Sequence, residues 1–134
     1  MIRLLAWTWA GPGSLVGLAL CALARASGGV ARRHEGTFEA HGGALGALMA
    51  RVSGGSRSLR AVTLGHVILA RDAASLEDFR AHERVHVRQW ERWGLLFPPA
   101  YLASSLWAWL RGRDPYLANR FEREAWGEGR EREG

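Results

Sequence analysis

The chain has 134 residues, 48% of them hydrophobic, with 18 basic and 13 acidic side chains and a net charge of +5. That length suits one domain around one core, and the single cysteine, Cys21, excludes an intramolecular disulfide framework. Every basic residue is an arginine, and these are interleaved with glutamate rather than gathered into a basic stripe, so no nucleic-acid partner is expected.

Leu4 to Ala24 is apolar apart from Thr8 and Ser14 and has no charge. Its length matches the roughly 20 residues that cross a bilayer, and Trp7 and Trp9 suit an interface. Gly11-Pro12-Gly13 interrupts the run, so a kinked or re-entrant element is as consistent as a straight span. A cleaved signal peptide with the small-x-small site Ala24-Arg25-Ala26 and a buried N-terminal helix are the rivals. The expectation is that residues 1–27 form a membrane anchor and residues 28–134 the working domain. Arg25, Arg32 and Arg33 after the run, against Arg3 before it, place that domain on the cytoplasmic side.

Val30 to His41 reads as a hairpin turning at Gly36. Ala44 to Val52 reads as a short helix closed by a Ser53-Gly54-Gly55-Ser56 loop. Ala61 to Ala70 is the clearest strand, and its Gly65 suggests a bulge or a close backbone approach. A long helix follows, with Ser75 as N-cap and Asp78 in a capping-box position, ending at Gly94. Leu95 to Leu110 is too short to span a membrane comfortably. It reads as a core helix or as a surface element dipping into lipid. Asp114-Pro115 opens a last helix to about Trp126, followed by a frayed Gly/Glu/Arg tail.

The chemistry gathers on the long helix. His82 and His86 are four residues apart, on one helical face, and can aim two imidazole nitrogens at one ion. Glu83 sits beside the first histidine, where a carboxylate can take a proton from zinc-activated water and return it to a leaving amine. A third protein ligand is required if one position is to stay open. No histidine lies downstream of His86, and Glu91 is too near in sequence to swing onto the ion, which leaves Glu122 and Glu124 on the last helix. His66, Tyr101 and Tyr116 are candidate oxyanion partners. Gln89 and Asn119 are candidate orienting residues, and His34 and His41 read as surface histidines.

Ala81-His-Glu-Arg-Val-His-Val-Arg-Gln89 followed by Asn119-Arg-Phe-Glu-Arg-Glu-Ala125 resembles the gluzincin class of zinc metallopeptidases, in particular small bacterial membrane-linked members. The resemblance covers residues 60–127. It implies a minimal zincin-like α+β domain with a small antiparallel or mixed sheet, zinc as cofactor and a peptide or protein as substrate. The Glu-x-x-Ala element of that class maps its ligand glutamate onto Glu122, and the strand Ala61 to Ala70 onto the edge that pairs with an extended peptide. One position departs from the pattern: many such families place an aspartate four residues after the ligand glutamate, to bond a zinc-bound histidine. Trp126 stands there, whereas taking Glu124 as ligand would put Glu128 in that place and lose the alanine. Two further readings compete: a non-catalytic zinc-binding membrane protein, and a basic, Trp-rich membrane or nucleic-acid binding module with an incidental histidine pair.

Overall fold

The computed structural model describes residues 11–52 and 60–133, with side chains described as far as Glu128 and not for Val52. Leu4, Trp7, Trp9 and the Ser53–Ser56 loop lie outside the described residues. In chain order come α1 (Gly11–Ala26), β1 (Val30–His34), β2 (Thr37–His41), α2 (Gly43–Val52), β3 (Ala61–Leu64), β4 (Val67–Ala70), α3 (Ala73–Trp93), a 3-10 turn (Gly94–Leu96), α4 (Phe97–Leu110) and α5 (Arg120–Glu133). The class is α+β, with a four-stranded mixed sheet in the order β1-β2-β4-β3.

The β1–β2 hairpin forms as its sequence indicates, with Gly36 at φ +84° and Glu35 also at positive φ in the turn. Ala61–Ala70 differs from the single strand read from its composition. It folds into two antiparallel strands joined by Gly65-His66, with Gly65 at φ +60°. A two-residue turn of this kind requires a residue that tolerates positive φ. β3 is therefore one edge of the sheet, with β1 at the other, while β4 lies inside, parallel to β2.

Val67-Ile68-Leu69-Ala70 is buried along its whole length, and its side chains alternate between two layers. Val67 and Leu69 join Cys21, Ala24, Leu45 and Met49 under α1 and α2. Ile68 and Ala70 join Leu76 and Val87 under α3. Gly17 lets α1 lie close on β4, since a Cβ there would stand 2.6 Å from the Val67 Cβ. On the α3 face, buried Glu39 accepts two bonds from the Arg80 guanidinium, at 2.8 and 3.3 Å, which fixes the helix against β2.

α3 begins one residue after Asp72, whose carboxylate accepts the Ser75 N–H at 2.7 Å. Asp72 is thus the N-cap expected at Ser75, and the Ser75 hydroxyl instead accepts from Arg60 Nε at 3.1 Å. That cap holds the Asp72 carboxyl down at about 2, chiefly through the Ser75 backbone and side-chain bonds. Gly94 closes α3 at φ +57°. The final helix starts later than Asp114-Pro115. Asp114 instead accepts the Tyr116 and Leu117 N–H groups in a turn, and Asn119 Oδ1 accepts the Phe121 N–H at the start of α5. The Gly/Glu/Arg segment continues α5 to Glu133. Among the described residues no helix is long and apolar enough to cross a membrane.

Candidate metal centre

α5 packs mainly along α3, and Phe121 meets Trp90 and Phe97 in a third apolar cluster. This contact brings the first turn of α5, with Glu122, against the histidine face of α3. Asn119 tightens it from the other side: its buried amide donates to the Tyr101 carbonyl at 3.0 Å and to the Ser105 hydroxyl at 2.8 Å. α5 is therefore capped and tied to α4 by one side chain.

His82, His86 and Glu122 converge in the gap between α3 and α5, all buried, with one ligand atom of each within 4.8 Å of the others. His82 Nε2 is 2.9 Å from Glu122 Oε2, and His86 Nε2 is 3.2 Å from Glu122 Oε1. The Tyr101 hydroxyl donates to Glu122 Oε1 at 2.7 Å. Burial alone would raise the Glu122 carboxyl, but the bonds from His82, His86 and Tyr101 outweigh it and hold it well below the usual carboxylate range. Burial likewise disfavours the His86 imidazolium, yet the bond to Glu122 and the charges of Glu83 and Glu122 push it up to about 9. Burial, with the nearby Glu122 charge, pushes the hydroxyls of Tyr101 and Tyr116 far up, so both stay protonated donors.

The two histidines differ on their far sides. Gln89 Nε2 donates to the Phe121 carbonyl at 3.0 Å, so its amide oxygen faces His86 and must accept the Nδ1–H, at 2.7 Å. The neutral His86 tautomer is thereby fixed with its lone pair on Nε2, toward the gap. Among the described residues, His82 Nδ1 is buried without a hydrogen-bond partner, and so is Trp126 Nε1. The Trp126 ring lies 4.3 Å from the His82 ring, in the place where the class pattern has an acid.

Glu83 is buried beside the gap. Its Oε2 accepts the Thr63 hydroxyl at 2.7 Å, so the edge strand β3 holds this carboxylate. Burial raises its pKa, countered in part by the His86 charge and the Thr63 bond. The remaining acids are occupied elsewhere. Glu91 bonds His66 Nε2 at 2.8 Å, and Glu124 is 3.7 Å from Arg92. Of the two glutamates left open by the sequence, Glu122 is in the gap and Glu124 is not. His66 is buried at the β3–β4 turn, where its backbone N–H donates to Ser14 on α1 at 3.0 Å. His34 and His41 are half-buried on the first hairpin.

Nothing in the sequence singles out Thr63, because only its pairing with Ile68 puts its hydroxyl on the α3 face. No spacing in the sequence selects Tyr101 over Tyr116. The donor set of two imidazoles and one carboxylate fits zinc with a fourth position left for water or substrate. No protein-family model, no curated protein and no solved structure matches this chain.

Proposed function

We propose that the protein is a zinc-dependent metallopeptidase of the gluzincin type, with His82, His86 and Glu122 as ligands and Glu83 as general base and acid. The observation that supports it most is the convergence of three ligand atoms within 4.8 Å from two separate helices, next to a buried carboxylate bonded to the edge strand. When bound, zinc would supply Lewis acidity and lower the pKa of water toward 7. Glu83 would take up the proton that water gives up there and return it to a departing amine. Thr63 keeps the carboxylate turned toward the gap, and Gln89 keeps His86 Nε2 free to ligate. No further strand pairs with β3 among the described residues; its Thr63 carbonyl accepts from Trp90 Nε1 at 3.1 Å, and its remaining edge backbone groups are offered to an extended peptide or protein substrate. Membrane association of the N-terminal segment 1–27, whose α1 part packs on β4 through Gly17, Cys21 and Ala24, with the domain on the cytoplasmic side, belongs to the same proposal.

Zinc analysis and a peptidase assay on wild type, Glu83→Gln and His82→Ala test this reading. The expected result is one zinc per chain in wild type and in Glu83→Gln, loss of metal in His82→Ala, and hydrolysis by wild type only. Wild type purified without chelator and free of zinc, or full hydrolysis by Glu83→Gln, would overturn it. A second reading, a zinc site without catalysis, is favoured by the burial of all four groups and by the unpartnered His82 Nδ1. It predicts stoichiometric zinc with no hydrolysis.

A further inference from the structure

Helix α4 offers an apolar surface that the metal centre does not use. Only Phe97 and Ala108 of this helix are buried, whereas Leu102, Leu106, Trp107, Trp109 and Leu110 are 54–67% exposed. Every exposed side chain from Leu95 to Leu110 is apolar. The two serines in the segment, Ser104 and Ser105, turn inward, accepting from the Arg120 N–H and the Asn119 amide. An outward surface with no polar side chain over four turns is not that of a helix facing water, and contiguous apolar patches of this kind mark contact sites.

We infer that α4 lies in the interface of an anionic lipid bilayer, as an element separate from residues 1–27. At about 100° per residue the exposed side chains occupy roughly half the circumference, wider than the roughly 100° stripe a packed helix covers. Fourteen residues extend about 21 Å, short of the ~30 Å hydrocarbon thickness, so the helix lies in the surface rather than across it. The charge pattern fits anionic headgroups. No acidic residue occurs from Leu95 to Arg113, and exposed Arg111 and Arg113 follow the tryptophans without an ion-pair partner among the described residues. Arg111 stacks on the Trp107 ring, 5.4 Å from its centroid, which puts ring and guanidinium at one level, as at a membrane surface.

The inner side of α4 supplies Tyr101 to Glu122, so the candidate metal centre is about one helix diameter, ~10–12 Å, from the lipid face. The substrate class that follows is a peptide segment emerging from the same membrane. This last step rests on the metallopeptidase reading; lipid insertion of α4 does not.

The full chain with Leu106→Cys, labelled with bimane, is mixed with phosphatidylcholine vesicles, with and without phosphatidylglycerol, that contain brominated acyl chains. Glu77→Cys, on the exposed start of α3, serves as control, and Cys21 is buried. The expected result is strong quenching at position 106 on the anionic vesicles and little at position 77. Arg111→Gln with Arg113→Gln should weaken binding to those vesicles about thirtyfold, at ~1 kcal/mol per arginine. Binding of the chain to vesicles without quenching at 106 would overturn the inference and assign lipid contact to residues 1–27. Shielding of the 106 label without lipid, together with a doubled mass in solution, would overturn it in favour of a second copy. Zinc content and hydrolysis are read separately, so loss of either leaves this outcome untouched.

Discussion

The hydroxyl of Thr63 is the smallest group at the centre with a distinct task. It donates to the Glu83 carboxylate and also lies 3.2 Å from the Glu83 carbonyl. Thr63→Val removes the donor at constant shape and leaves a buried carboxylate without it. The Glu83 pKa, already raised by burial, rises further, so the acidic limb of the rate profile moves to higher pH. We expect kcat to fall about tenfold with zinc content unchanged, and Thr63→Ser to restore it, by steady-state kinetics. The metal-free protein gives a second expectation. His86 is pushed up to about 9 from 6.5, so stability gained from its pairing is complete below about 6.5 and lost as pH rises through about 9. The melting temperature of chelator-treated protein should fall across that window. Glu122→Gln should flatten the fall, and an unchanged slope would show that another group titrates there.

Among the elements, the close approach of α1 to β4 makes Gly17 a sensitive position. The Cβ of Gly17→Ala meets the branched Val67 side chain, and a cost of about 1–3 kcal/mol is expected in urea unfolding. Asn119→Ala removes both the α5 cap and the tie to α4, at a cost of about 1–2 kcal/mol. The elements differ in how far the chain announced them. The site helix and its Gly94 stop were legible because apolar and ligating residues recur at helical spacing. The Ala61–Ala70 hairpin was not. β4 is buried on both faces, so its side chains are apolar without alternation, and the run conceals the Gly65-His66 turn. Ser75 and Asp72 are both capping residues within one turn, and the arrival of Arg60 from β3's start gives the Ser75 hydroxyl another partner. In the same way, the apolar run of α4 reads alike for a core helix and for an exposed one. Only its position outside the sheet layers distinguishes them.

For the whole molecule, the histidines and the third ligand come from parts with different support. α3 is packed on the sheet through Leu76 and Val87 and locked by Arg80 to Glu39. α5 rests on α3 and α4. Of the candidate centre, His82, Glu83 and His86 were readable from five consecutive residues. Glu122 needed the class pattern, because a contact between residues 40 apart in the chain leaves no local spacing. Trp126 stands where the resemblance leads one to expect an acid, and its ring centroid lies 4.3 Å from that of His82.

The tie between α4 and α5, made by Asn119 together with the Tyr101–Glu122 and Arg120–Ser104 bonds, has a consequence for motion. If α4 and α5 swing away as one hairpin, Glu122 and Tyr101 leave together, while Gln89 loses the Phe121 carbonyl and with it the orientation that fixes the His86 tautomer. Removal of the carboxylate and scrambling of the imidazole are then one event rather than two. Amide hydrogen exchange of the metal-free protein should show α5 opening in a cooperative step well below global unfolding, with β4 among the last amides to exchange. Zinc should slow that step in proportion to its occupancy. Such a hairpin would act as a hinged cover over the two histidines, and an ion held there would leave through the same opening that bares them to solvent.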